Sequence, residues 1–248
     1  MILRQHLAIL GVLLLIPGFV LAGETTLKPG LYMTEGGWGE LRIAAQPAGP
    51  LTFQLTTTGA NDGLCDLSGR IIDGQAIAQL DLATQPTSPV CMVSFKRMGA
   101  AIEVSAPDDD ACRSFCGNAV SFTGEYAPLP IGCDTTTIEQ QRAHFHREYA
   151  RRAYVSALGI LQPLLLRCQR FLEPITEGWI RNDLALAHYH RHRLAQCLQL
   201  LRPLRLDAAD IEESVSGTRG DYRMRYAKML EATAYNLALC GKKQNAAH

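Results

Sequence analysis

Residues 51–55 of this chain read Leu-Thr-Phe-Gln-Leu, so apolar and polar side chains alternate strictly. In a β-strand successive side chains point to opposite faces, and this alternation places every apolar one on the same face. The same period of two returns in four further runs, at residues 65–71, 76–82, 91–95 and 102–104. Because turn residues separate the runs, the pattern predicts about eight short strands forming an antiparallel β-barrel or sandwich over residues 23–132.

The second half of the chain has the spacing of α-helices. After Cys133, apolar residues recur every three or four positions, and Thr136 or Thr137 is the predicted N-cap of the first helix. Residues 161–164 read Leu-Gln-Pro-Leu, and residues 201–204, forty positions later, read Leu-Arg-Pro-Leu. A fixed offset of this size predicts stacked helix pairs, because each pair buries its apolar face against the next.

The repeated region resembles a known class of helical repeats. Ala185, His192, Cys197 and Leu204 follow the spacing of the small, turn and packing positions of tetratricopeptide repeats. The offset is longer than the usual repeat of that class, which indicates a divergent relative. Residues 222–240 would supply the closing helix. The expected fold is therefore α+β with two domains, a β domain over 23–132 and a tetratricopeptide-like helical domain over 133–248.

Charge separates the same two halves. The whole chain is neutral, with 24 Lys or Arg and 24 Asp or Glu, and its 47% hydrophobic and 19% charged residues argue against disorder. Residues 23–132 carry six Lys or Arg and twelve Asp or Glu, a net charge of −6, whereas residues 133–248 carry seventeen and twelve, a net charge of +5. A neutral total with this distribution argues against a nucleic-acid-binding protein.

The first 22 residues have the pattern of a secretory signal peptide. Arg4 precedes an apolar run from Leu7 to Ile16, and a Val-Leu-Ala sequence ending at Ala22 marks the expected cleavage site. A membrane anchor is the alternative, but Pro17-Gly18 leaves a helix short for a bilayer. We expect a periplasmic or secreted protein whose mature chain has no stable membrane insertion.

An exported chain with eight cysteines is expected to form disulfide bonds. Four cysteines fall in each half: Cys65, Cys91, Cys112 and Cys116, then Cys133, Cys168, Cys197 and Cys240. We expect each half to be closed by its own bridges, with nine connectivities left open. A redox site at Cys112 and Cys116 is the alternative, but three residues separate them and no thioredoxin-like βαβ pattern surrounds them.

One segment of the β half resembles a known family. Residues 112–117 read Cys-Arg-Ser-Phe-Cys-Gly, and Phe122-Thr-Gly-Glu-Tyr126 follows. The segment is similar to small secreted bacterial β domains of the lysozyme-inhibitor type, which block cationic muramidases. The resemblance implies a compact β fold and an inhibitory partner, and no inhibitory loop residue is carried over from it.

Few residues suggest chemistry. Asp108, Asp109 and Asp110 would present a negative tip to a basic partner, while Arg181 and Asn182 would lie on the concave face of the repeat stack. His188 and His192 have a helical spacing that can chelate a metal, but the flanking Arg191 and Arg193 disfavour a cation. No catalytic triad, phosphate loop or dinucleotide fingerprint is found, and we expect neither an enzyme nor a cofactor.

Two functions are consistent with these patterns. The first is an exported binding protein that acts as an inhibitor or immunity factor against a cationic cell-wall-degrading enzyme, such as a lysozyme or another muramidase. The alternative is an envelope scaffold that binds a protein or peptide through its helical repeats.

Overall fold

The computed structural model describes residues 26–78, 90–117 and 120–242. The predicted signal peptide at 1–22 and the end of the predicted strand at 79–82 lie outside these residues. Within them the β half forms eight strands: β1 (Gly30–Met33), β2 (Gly39–Ala44), β3 (Leu51–Thr58), β4 (Leu64–Ile71), β5 (Gln75–Ala78), β6 (Cys91–Met98), β7 (Ala101–Ser105) and β8 (Gly124–Pro128). A short helix, α1 (Asp109–Cys112), lies between β7 and β8.

The strands form a nearly closed antiparallel barrel. Their order is β4-β3-β2-β1-β8-β7-β6-β5, so β4 and β5 are the two ends of the sheet. These ends are joined by a tight turn at which Ile72 and Gln75 exchange backbone hydrogen bonds of 2.8 and 2.9 Å. Phe53, Leu55 and other inward residues are buried in one core, as the alternation predicted. The predicted α+β fold with a barrel is confirmed.

All eight cysteines are joined in four disulfides, each within one half of the chain. In the barrel, Cys65 bonds Cys116 and Cys91 bonds Cys112, which fastens the segment after β7 to β4 and β6. In the helical half, Cys133 bonds Cys168 and Cys197 bonds Cys240. Four bridges fit an oxidising environment outside the cytoplasm.

The helical half contains two helix hairpins followed by a long helix. The elements are α2 (Thr135–Ala150), α3 (Tyr154–Cys168), α4 (Pro174–His190), α5 (Leu194–Leu201), α6 (Arg205–Ala209), α7 (Ile211–Ser214) and α8 (Gly220–Lys242). The forty-residue offset is visible in the hairpin loops, where Arg152 and His192 both have left-handed backbone, with φ of 61° and 58°. The tetratricopeptide assignment of these hairpins stays a prediction. No helix in the described part of the chain combines the length and the apolar character needed to cross a bilayer.

The predicted N-cap of the first helix is wrong by two or three residues. Asp134 is the N-cap of α2, where its carboxylate accepts hydrogen bonds from the amide of Thr137 at 2.9 Å and from the Thr137 hydroxyl at 2.7 Å. These bonds hold the pKa of Asp134 below its usual range. A carboxylate satisfies the free amides of the first turn as well as a threonine does, and its charge also favours the helix dipole.

The two halves meet through backbone as well as side chains. At Gly37, with φ of 67°, a Cβ would lie 2.5 Å from the carbonyl oxygen of Phe171, so only glycine allows this approach. The carboxylate of Asp62, in the loop between β3 and β4, accepts the amides of Asp221 and Tyr222 at 2.7 and 3.1 Å. A barrel residue therefore caps the N-terminus of α8.

Candidate binding groove of the helical half

The helical half has a groove on the face where α3 and α5 lie on either side of α4. Both helices pack against α4. The space between them is a groove of about 420 Å³. Its floor is formed by Arg181, Leu184 and His188 of α4. Positions three and seven apart lie on one face of a helix, which brings these three side chains together.

The guanidinium of Arg181 is held in a fixed position on the floor. It donates to the carboxylate of Glu177, one turn earlier, with Nε 2.8 Å from Oε1. It also donates from Nη1 to the backbone carbonyl of Leu200 in α5, at 3.3 Å. Because the side chain is mostly buried, these bonds tie α4 to the end of α5 and place one cation at the bottom of the groove.

His188 is a buried polar group with unused hydrogen-bonding capacity. The residue is 8% exposed, and its Nδ1 has no hydrogen-bond partner among the described residues. Burial lowers the pKa of His188, and the charges of Arg191 and Arg193 lower it further. The ring is therefore neutral at neutral pH. A buried polar atom without a partner is costly.

The walls of the groove combine apolar and amide side chains. Leu165 and Leu166 of α3 face Leu200 and Pro203, and Leu166 is 70% exposed. The rim carries exposed amides from both sides: Gln162, Gln169, Gln196 and Gln199. An amide offers one acceptor and two donors, which matches the alternating donors and acceptors of an extended peptide backbone.

Arg181 lies in this groove, but Asn182 does not. Asn182 is 2% exposed and faces α8, where its side chain donates to the hydroxyl of Thr233 at 2.8 Å and accepts from Asn236 at 2.8 Å. Adjacent residues on a helix point about 100° apart, so the two cannot share one face. Asn182 belongs to a buried polar network between α4 and α8, and its predicted exposure on the concave face is wrong.

The acidic tip of the barrel is engaged by its own neighbours. Asp108 caps α1 by accepting the amide of Ala111 at 3.2 Å, and Asp109 is the first residue of that helix. Asp110 forms an ion pair with Arg113 at 3.0 Å. The carboxylates of Asp108 and Asp110 therefore already have partners within the barrel.

The histidine pair considered as a chelate is not on one helix face. The helix α4 ends at His190, and His192 lies beyond it in left-handed conformation. His188 and His192 therefore do not have the helical spacing that the sequence pattern indicated. Among the described residues, no group of three or more His, Cys, Asp or Glu side chains could hold a metal ion.

A second buried titratable group links α2 to α4. The carboxylate of Asp183 lies 3.1 Å from Arg142 and 3.6 Å from His146. Burial raises the pKa of Asp183, although the charges of Arg142 and His146 oppose this. Asp183 is on the opposite side of α4 from the groove floor, and its contacts hold the first hairpin against the second.

No family model, no curated protein and no solved structure matches this chain. The groove must therefore be interpreted from its own residues. Sequence reasoning found Arg181 but missed His188 as a groove residue and missed the four glutamines. The forty-residue repeat could have indicated other groove residues, because Gln162 and Arg202 occupy equivalent positions forty residues apart and both line the groove.

Proposed function

We propose that the protein is an exported, non-catalytic binding protein whose helical groove holds an extended segment of a protein partner. The observation that carries the proposal is the groove itself, where the fixed Arg181 and the buried His188 form a polar floor beneath a rim of exposed amides and beside the apolar side chains of the walls. Stacked helix pairs commonly bind peptides on such surfaces. The resemblance of residues 185–204 to tetratricopeptide repeats supports the same function.

The groove favours a segment with a negative charge near one end. Arg202 lines it and has no carboxylate partner within the described residues, and no Asp or Glu is among the lining residues. The charge of Arg181 is balanced by Glu177, so Arg202 is the cation available to a ligand. A peptide carrying Asp, Glu or a terminal carboxylate would pair with it.

Export rests on two independent features. The signal pattern over residues 1–22 predicts cleavage after Ala22, and four disulfides require an oxidising compartment to form. The periplasm or the medium is the proposed location of the mature chain.

The groove is tested with Leu166→Glu, and Leu206→Glu is the matched control. Leu166 is 70% exposed on the groove wall, whereas Leu206 is 81% exposed in α6 and does not line the groove. An array of random-sequence peptides would be probed with the mature protein and both variants. We expect Leu166→Glu to lower peptide binding about tenfold or more, since a charge in the centre of an apolar contact disrupts it. Equal peptide binding by Leu166→Glu and the wild type would contradict the proposal that the groove is the peptide-binding site.

A second candidate is inhibition of a cationic cell-wall-degrading enzyme by the barrel. The acidic net charge of residues 23–132 and the resemblance of residues 112–126 to lysozyme-inhibitor-type domains support it. The mature protein would be assayed against a cationic lysozyme at low and high salt. Inhibition that weakens with salt and persists in Leu166→Glu would favour the barrel as the active surface, since complementary charge speeds association. If the mature protein neither bound nor inhibited the lysozyme at low salt, this second candidate would be excluded.

A further inference from the structure

The two hairpin loops of the helical half have the same unusual conformation. In each loop the residue with left-handed backbone donates its amide to a carbonyl three residues earlier, from Arg152 to Tyr149 and from His192 to Tyr189, both at 2.9 Å. The following amides return to Glu148 and His188. This is the Schellman ending of a helix, in which the left-handed position is usually glycine. Here long polar side chains occupy it.

The two loops lie side by side at one end of the helical half. The ring of Tyr154, just after the first loop, stacks on the ring of His190, just before the second, with centroids 4.9 Å apart and planes 7° from parallel. Tyr149 packs against the edge of the same His190 ring. We call residues 147–152 and 191–193 together the basic end.

The basic end has a large excess of positive charge. It contains five arginines and one carboxylate, that of Glu148, which pairs with Arg151 at 3.1 Å. Arg152, Arg191 and Arg193 have no carboxylate partner in the part of the chain that the structure describes. Burial is the main cause of the lowered pKa of the neighbouring His188, and the charges of Arg191 and Arg193 lower it further.

This charge lies far from the barrel. The N-terminus of α4 adjoins the junction with the barrel, because Glu173 caps α4 and its amide nitrogen lies close to Gly37. The helix has 17 residues, which places its other end about 25 Å away. The barrel half carries a net charge of −6. Positive and negative charge are thus separated along the molecule.

We propose that the basic end binds the phosphate headgroups of an anionic lipid surface and holds the acidic barrel away from that surface. The arginines come from two neighbouring loops, an arrangement that can contact several headgroups at once. Arginines near such a surface contribute additively, and the attraction is screened by salt. This peripheral contact is separate from the peptide groove and requires no insertion into the bilayer.

The test is co-sedimentation of the mature protein with vesicles of phosphatidylcholine alone or mixed equally with phosphatidylglycerol. We expect binding to the mixed vesicles only, and weaker binding at high salt. The triple variant Arg152→Gln/Arg191→Gln/Arg193→Gln should lower binding on the order of a hundredfold. Arg152→Lys/Arg191→Lys/Arg193→Lys should retain it. The matched control Arg205→Gln/Lys228→Gln/Lys242→Gln removes the same charge from exposed positions elsewhere in the helical half.

Several results would overturn the proposal. An equal loss in the control triple variant would show that only net charge matters, and the absence of vesicle binding would exclude the lipid surface. Competition by inorganic phosphate alone would indicate a free-phosphate site. Salt-sensitive self-association without vesicle binding would mean that the basic end meets the acidic barrel of a second copy.

Discussion

The barrel and the helical half both contain ion pairs, and they differ in the surfaces that their architectures leave open. In the barrel, Glu40 pairs with Arg42, Glu103 lies across the sheet from Lys96, and Asp110 pairs with Arg113. In the helical half, four of the five arginines of the basic end have no carboxylate partner and the buried Nδ1 of His188 has no hydrogen-bond partner within the described residues. A sheet rolled into a barrel closes on itself, whereas stacked helices leave ends and grooves. The groove and the basic end, which are the two binding surfaces argued from side-chain contacts, therefore lie in the helical half.

Removing a disulfide is expected to have the largest effect on stability, and it tests whether the two halves are stabilised separately. The bridges Cys65–Cys116 and Cys197–Cys240 close loops with sequence separations of 51 and 43 residues, so each should contribute about 4 kcal/mol by constraining the unfolded chain. We expect Cys197→Ser/Cys240→Ser to increase amide exchange in α5 and α8 while the barrel amides stay protected. The measurement is hydrogen exchange combined with urea unfolding. Equal loss of protection in the barrel would mean that the two halves unfold as one unit.

The junction is tested next by Gly37→Ala, with Gly99→Ala as the matched control. Both glycines have positive φ, at 67° and 66°, so alanine costs about 1–2 kcal/mol at either position. Only at Gly37 would the new Cβ meet backbone of the helical half. We expect Gly37→Ala to cost about 3 kcal/mol in total and to separate the unfolding of the two halves, as measured by urea denaturation. A similar loss of stability in Gly37→Ala and Gly99→Ala would contradict a rigid contact between the two halves at Gly37.

The cap from the barrel to α8 should have a smaller effect. Asp62→Ala leaves the amides of Asp221 and Tyr222 without their acceptor, and the expected loss of stability is about 1–2 kcal/mol. Asp66→Ala, an exposed position on the adjacent strand, should change stability by less than about 0.5 kcal/mol. The comparison uses thermal unfolding. A loss at Asp66 as large as that at Asp62 would mean that barrel charge, and not the cap, is responsible.

The smallest expected effect is a change in the stability of the helical half with pH. Residues 23–132 contain no histidine, so protonation of histidine can act only on the helical half. The folded pKa of His188 lies below the unfolded value of about 6.5, so its contribution is present above that value and is lost as pH falls through the folded pKa. We expect stability of the helical half to fall below about pH 6.5.

This pH dependence is assigned by NMR titration of the imidazoles together with unfolding at several pH values. His188→Gln should reduce the loss of stability of the helical half below about pH 6.5, since it removes the group whose pKa burial lowers. An unshifted His188 resonance would contradict the buried, neutral ring described for the groove floor.

Sequence patterns predicted elements better than they predicted contacts. The alternation around Phe53 and the repeat at Pro163 and Pro203 located the strands and the two hairpins, because burial on one face imposes a period on the residues themselves. The same reasoning placed Asn182 and Arg181 on one exposed face of the helix, because both are polar and they are adjacent in the sequence. Only the packing of α8 on α4 shows that one residue turns into the core while the other faces the groove.

The sequence by itself determined the class of each half, the separation of charge and the oxidation of the cysteines. These follow from local periodicity and composition, which need no knowledge of neighbours in space. Tertiary structure alone decided which cysteines pair, that Asp62 caps a helix 159 residues away, and that the buried His188 lies beneath a rim of glutamines. These features arise where distant segments meet, and their geometry depends on how the whole chain packs.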